Sequence, residues 1–113
     1  MKEEGPAGSY DAQTNTVALA GEWDLASKEQ LRRLTDRLQS NRPATVDLTS
    51  VEFIDSSVIN ELLSAHGRLS GGRTGRRLRL LVRSGHIARL LDITGMDRIM
   101  DVERTESGSA DGS

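Results

Sequence analysis

The chain of 113 residues predicts an α/β fold, a four- or five-stranded mixed sheet with amphipathic helices packed mainly on one face. Three observations carry this expectation. Short apolar runs alternate with stretches of helical period, the pattern of strands joined by helices, which implies a substantially parallel sheet. The period changes near residue 57: Val46 and Leu48 alternate as strand residues do, whereas Ile59, Leu62, Leu63, His66 and Leu69 recur at helical spacing. The length suits one packed core and not two.

The elements follow in order. A weak strand around Ser9–Asp11 turns at Gln13-Thr14-Asn15 into a second strand over Thr16–Ala20. A first helix is expected over about Ser27–Gln39, with Leu31, Leu34 and Leu38 on one face and Ser27-x-x-Gln30 in capping-box form. Asn41-Arg42-Pro43 ends it, since proline lacks the N–H a helix needs. A third strand over Ala44–Leu48 leads into a second helix over about Ser57–Leu69, with Leu48, Val51, Phe53 and Ile54 as buried anchors. Gly71, Gly72 and Gly75 make a flexible connection to a fourth strand over Arg77–Val82, which carries Leu78, Leu80 and Val82 on one face. A short third helix over His86–Thr94 stops at Gly95, a favoured residue just past a helix end, and Ile99–Val102 is a last strand. Residues 1–8 read as a flexible lead, 9–104 as the domain and 105–113 as a disordered Ser/Gly/Asp-rich tail. Leu31, Leu34, Leu38, Ile59, Leu62, Leu63, Leu90 and Leu91 form the expected core.

Composition narrows the function. Without cysteine there is no disulfide scaffold and no thiolate chemistry, which fits a reducing compartment. No apolar run approaches the roughly 20 residues of a membrane span, and Met1–Pro6 has no signal-peptide core, so a cytoplasmic protein is expected. A net charge of -2 argues against general nucleic-acid binding, and the scattered Tyr10, Trp23 and Phe53 offer no base-stacking platform. Between Gly67 and Arg89 lie Arg68, Arg73, Arg76, Arg77, Arg79, Arg83 and Arg89 without an acid. Such a stripe attracts acidic partners; a solvated loop and strand edge is the reading favoured for it.

Catalysis is not expected. A serine nucleophile needs a base within about 3 Å and an oxyanion site, and no Gly-x-Ser-x-Gly elbow is present. His66 lies along the same helix as Ser56, roughly 15 Å away, and reads as a core-edge histidine. His86 reads as a capping or solvent-facing residue. Two separated histidines make a zinc site improbable, and the glycines lack the Lys-Ser/Thr of a phosphate-binding loop.

The most informative stretch is Val46-Asp47-Leu48-Thr49-Ser50-Val51-Glu52-Phe53-Ile54-Asp55-Ser56-Ser57. Asp55-Ser56-Ser57 sits where a loop feeds a helix N-terminus, and there side-chain oxygens are favoured as caps because the first N–H groups lack intrahelical partners. Asp55 reads as the N-cap, and Ser56 as either a cap or a hydroxyl held at the solvent edge. A phosphate at that position meets the helix dipole and free N–H groups.

This segment resembles the STAS family, shared by bacterial anti-sigma factor antagonists and the cytoplasmic parts of some anion transporters. The family's signature is an Asp-Leu strand, an apolar spacer and Asp-Ser-Ser/Ala-Gly-Leu-Gly opening a helix. Val17–Ala26 looks like its second strand, turn and first helix start, and Arg79–Val82 with Ile87–Ile99 like its fourth strand, third helix and last strand. The resemblance covers roughly Ser9 to Val102 and implies a STAS-like fold. It also implies that Ser56, the serine directly after the motif's Asp, is phosphorylated by a partner kinase, with Ser57 as runner-up. Asp24 matches an acid of the family's first loop; its plainer role is to cap the first helix. The chain departs from the family at Val58-Ile59-Asn60, where Gly-Leu-Gly is usual.

What the resemblance implies is an anti-sigma factor antagonist, not an enzyme. It would bind an anti-sigma factor serine kinase, without a cofactor of its own, and be released by serine phosphorylation. The expected contact surface comprises Asp24, Asp55, Ser56, Ser57 and exposed parts of the second helix, namely Val58, Asn60 and Glu61. The alternative is a non-phosphorylated STAS subunit of a membrane lipid or anion transporter or of a signalling scaffold, which Val58 and Asn60 keep open. A weaker third reading, a small-ligand sensor, needs an enclosed apolar pocket.

Overall fold

The computed structural model describes residues 6–70, 77–83 and 85–105. In chain order the elements are β1 (Ala7–Asp11), β2 (Thr16–Trp23), a single 3-10 turn (Leu25–Ser27), α1 (Lys28–Thr35), β3 (Thr45–Ile54), α2 (Ser56–Ser70), β4 (Arg79–Arg83), α3 (His86–Ile93), a second 3-10 turn (Met96–Arg98) and β5 (Asp101–Thr105). The sheet has five strands in the order β1-β2-β3-β4-β5, with β1 antiparallel to β2 and every other pair parallel. The connections β2-α1-β3, β3-α2-β4 and β4-α3-β5 each step to the next strand in one direction. In the right-handed sense usual for such crossovers, this places all three helices on the same face.

The two faces are therefore unlike. The row Val17–Val46–Leu80 points to the helices and is fully buried, where it meets the core that includes Leu31, Leu62, Ala65 and Leu91. The neighbouring row Thr45–Arg79–Asp101 faces away, and Arg79 reaches Glu103 at 3.5 Å on that open side. Of the expected core, Leu31, Leu38, Ile59, Leu62 and Leu91 are buried, while Leu34, Leu63 and Leu90 are half-buried against it.

Several boundaries differ from the sequence expectation, each for a local reason. β3 runs to Ile54 instead of stopping at Leu48. Its pairing with β2 shifts register twice, between Ala18 and Ala20 and between Gly21 and Glu22, and each time β3 carries the extra residue. Asp47 Oδ1 accepts from both the N–H and the hydroxyl of Thr49 at the first irregularity. Leu48, Val51 and Ile54 are thus all buried at intervals of three rather than two, and the alternation that marks a strand is lost from the sequence. The same shifts turn Phe53 outward, 46% exposed, so it is not the buried anchor expected.

α1 ends at Thr35, short of Gln39, and Leu38 reaches the core from a tightened turn in which its N–H donates to Thr35 O. The capping box lies three residues earlier than expected. Asp24 is the cap, its N–H bonded to Ser27 Oγ and its carboxylate to Ala26 N–H, whereas Ser27 makes no cap bond to α1. β1 begins at Ala7, inside the stretch expected to be a flexible lead, because Gly8 pairs with Leu19 and allows close approach. A Cβ at Gly8 would lie 2.6 Å from Leu34 Cδ1. β5 spans Asp101–Thr105, later than expected, and Thr105 pairs with Arg83, so it belongs to the sheet and not to the tail. The remaining lead (1–5), the remaining tail (106–113) and the glycine connection at 71–76 lie outside the described residues.

Candidate functional site at the C-terminal end of β2 and β3

β2 and β3 end together in the pair Trp23↔Ile54, both buried. Trp23 anchors this end by filling the core while its Nε1–H donates to Ala20 O at 2.9 Å. Both strands then open into capped turns at the same edge of the sheet. After β3, Asp55 Oδ1 accepts from Ser57 N–H at 2.9 Å and Val58 N–H at 3.3 Å, so Asp55 is the N-cap of α2. Its other oxygen, Oδ2, accepts from Leu25 N–H at 3.2 Å, across a separation of thirty residues. The carboxylate thus satisfies α2's first N–H groups and ties the β2–α1 loop to the β3–α2 loop. The structure brings Asp24 and Ser56 to one site through this bond.

Ser56 occupies the first position of α2 and is exposed, and its hydroxyl makes no hydrogen bond among the described residues. Because Asp55 caps the helix, the hydroxyl remains free. Ser57 is half-buried and contributes its backbone N–H, not its hydroxyl, to the cap. Asn60 is exposed on the same helix.

Two expected contact residues are not available. Val58 is completely buried, because its position on α2 turns it onto the sheet with Leu62 and Ala65. Glu61 is 3% exposed and faces the end of α1. There Arg68 bridges Asp36 at 3.1 Å, approaches Glu61 at 3.6 Å and donates to Thr35 Oγ1. Glu61 Oε2 has no hydrogen-bond partner among the described residues. Both side chains are interior groups linking α2 to the sheet and to α1. What sequence reasoning missed are the apolar residues of this edge, Leu25 at 67% exposure and Phe53 at 46%. Leu25 was legible as an apolar residue directly after a capping acid; Phe53 needed the register shifts of β3.

The neighbouring strands part beyond Asp47↔Leu81, leaving an open cleft of about 170 Å³ lined by Leu48, Val51, Arg83, Gly85, His86 and Ile87. His86 Nε2 lies 3.1 Å from Glu52 O across it. The cleft is not the enclosed apolar pocket a small-ligand sensor requires. His66 sits far from this edge in the contact between α2 and β4, where its Nδ1 accepts from Leu78 N–H at 3.3 Å. Burial lowers its pKa below the ordinary value, Arg77 adds to the shift and Asp101 opposes it. No group of three or more metal-ligating side chains occurs among the described residues, and no helix among them is long and apolar enough to cross a membrane.

Comparison with known proteins agrees with this architecture. An anti-sigma factor antagonist from Mycobacterium paratuberculosis superposes with a TM-score of 0.77 at 21% identity, over 94% of this chain and 92% of that one. A candidate anti-sigma factor antagonist of Thermotoga maritima gives 0.66 at 19% identity, over 92% and 90%. At these identities the likeness is one of fold. No curated protein matches the chain. The family model described as "Mlab, STAS domain" matches residues 9–102, from β1 into β5; the chain belongs to the STAS domain family.

Proposed function

We propose that this protein is a cytoplasmic anti-sigma factor antagonist that binds an anti-sigma factor serine kinase through the edge formed by Asp24, Asp55, Ser56, Ser57 and Asn60. The observation that carries the reading is the free Ser56 hydroxyl on the first turn of α2, relieved of any capping duty by Asp55. In the transfer, Ser56 Oγ bonds to the γ-phosphorus of kinase-bound ATP, the bond to the β-bridging oxygen breaks, ADP leaves and the hydroxyl proton passes to a base on the kinase. The product adds roughly -1.5 to -2 charges beside Asp55, which disrupts docking by like-charge repulsion. The fold likeness to proteins described as anti-sigma factor antagonists supports the same reading. This chain acts as ligand and substrate of the kinase, not as a catalyst, and needs no cofactor.

Incubating the protein with its anti-sigma factor kinase and ATP, followed by mass spectrometry, should place one phosphate on Ser56 and none on Ser56→Ala. Phosphate on Ser57 would move the site by one residue and leave the mechanism intact. A second reading, a STAS subunit of a membrane transporter or signalling scaffold, draws support from Val58 and Asn60, which replace small residues of the family's helix opening. Absence of phosphate together with tight binding to a transporter subunit would establish that reading instead.

A further inference from the structure

Resting on the kinase-binding reading above, we propose that Leu25 is the apolar anchor by which the partner grips this edge, and that Asp55 is the positioning residue that holds it in place. Stable protein interfaces concentrate their energy in a few desolvated, well-packed side chains. α2 supplies no such group here, since its outward positions near the site are Ser56, Asn60 and Ser64, while Val58 and Ile59 are buried. The large exposed apolar residues of the described chain are Leu25, Phe53, Ile93 and Ile99. Ile93 ends α3 and Ile99 precedes β5, which puts both at the opposite end of the parallel strands. Leu25 and Phe53 remain.

Leu25 is the more exposed of the two, at 67% against 46%, and it stands on the site's own loop, next to Asp24 and bonded to Asp55. Its turn is fixed by the Asp24–Ser27 capping box and by the 3.2 Å bond from its own N–H to Asp55 Oδ2. An apolar side chain presented from a pinned turn loses little entropy on docking, which is how preorganisation raises affinity. The acids Glu22, Asp24 and Glu52 are exposed around Leu25 and Phe53, and Glu22 pairs with Phe53 across the strands. The complementary partner surface is an apolar pocket rimmed by lysine or arginine on the kinase.

The test compares Leu25→Ala, Asp55→Asn, the double variant and Ile93→Ala, with titration calorimetry against the kinase that phosphorylates the wild-type chain. Leu25→Ala should weaken binding by about tenfold or more, and Ile93→Ala, an equally exposed residue at the far end, should not. Asn caps a helix as well as Asp does, but its amide nitrogen cannot accept from Leu25 N–H. Asp55→Asn should therefore keep the melting temperature, speed hydrogen exchange at the Leu25 amide and weaken binding. Because Asp55 acts on binding partly through Leu25, the two losses should not add, and the double variant should bind more tightly than the product of the single losses predicts. Wild-type affinity in Leu25→Ala, or unchanged Leu25 exchange in Asp55→Asn, would overturn the anchor while leaving the kinase reading intact. A wild-type chain that no such kinase binds would overturn both.

Discussion

Asn15 and Asp55 use one device at opposite ends of the sheet, and the contrast separates the part of the molecule that holds the fold from the part that we propose meets a partner. Each takes backbone N–H groups from a loop distant in sequence. Asn15, fully buried, joins the β1–β2 turn to the α1–β3 loop: its Oδ1 accepts from Tyr10 OH and Gln39 N–H, and its Nδ2 donates to Gln39 O and Pro43 O. Every polar atom of that side chain is used within the fold. Asp55 is half-exposed and its carboxylate is equally occupied. Beside it, however, lie a free hydroxyl at Ser56 and a solvent-facing Leu25. One end has spent its chemistry inward, the other keeps some to spare.

The largest effect expected from breaking this contrast is on stability at the Asn15 end. Asn15→Ala leaves Gln39 N–H and two carbonyls without their partner and places alanine at φ 54°. Unsatisfied groups cost about 1–3 kcal/mol each when buried, and the left-handed backbone adds about 1 kcal/mol. A loss of about 3 kcal/mol or more is expected in chemical denaturation, with kinase affinity unchanged under conditions where the variant is folded. A variant that stayed stable but bound poorly would reverse the assignment of the two ends. The next effect is on binding at the Ser56 end: Ser56→Asp should weaken kinase affinity at least tenfold, about 1.4 kcal/mol, with little change in melting. An extra carboxylate beside Asp55 is repelled by a surface shaped for a neutral hydroxyl.

The same contrast explains what the sequence could reveal. The helix stripes, the Gly95 stop and the Asp55 cap depend on neighbours within four residues and were legible. Gly95 does adopt the left-handed conformation, at φ 80°. The length of β3, the outward turn of Phe53 and the early end of α1 were not legible. They depend on register with β2 and on Asn15 reaching Gln39, contacts made between segments far apart in sequence. At the site, the hydroxyl and its acid were readable as a motif. The burial of Val58 follows from the helical period, four residues before Leu62, whereas that of the charged Glu61 was not legible, because it depends on how α2 packs against the end of α1.

A smaller effect tests a second contact at the Asn15 end, where His66 of α2 meets Leu78 just before β4. His66 accepts from Leu78 N–H only while its Nδ1 is unprotonated. Its folded-state pKa lies below the ordinary 6.5, chiefly through burial, so the unfolded chain binds the proton more readily. The stabilisation is whole above that ordinary value and is lost as pH falls through the folded-state pKa. Melting temperatures measured from pH 7.5 downward should therefore fall more for wild type than for His66→Gln, whose carbonyl oxygen accepts without titrating. Equal slopes would mean that His66 does not couple α2 to β4.

The smallest expected effect is Ser56→Ala on stability, and its smallness is diagnostic. Removing a serine that caps a helix costs about 0.5–2 kcal/mol. Ser56 is not that cap: Asp55 Oδ1 already holds the Ser57 and Val58 N–H groups, and Asp55 O takes Ile59 N–H at 3.3 Å. Alanine also suits a first-turn helical position better than serine. The change in unfolding free energy should stay within about 0.5 kcal/mol, the range of surface substitutions, and the variant should still bind the kinase, since a small uncharged side chain leaves the docking edge unaltered. A loss beyond 1 kcal/mol would mean that the hydroxyl is engaged in the fold after all. Ser56 would then resemble Asn15, and the division between a structural end and a functional end would fail at the residue on which it rests.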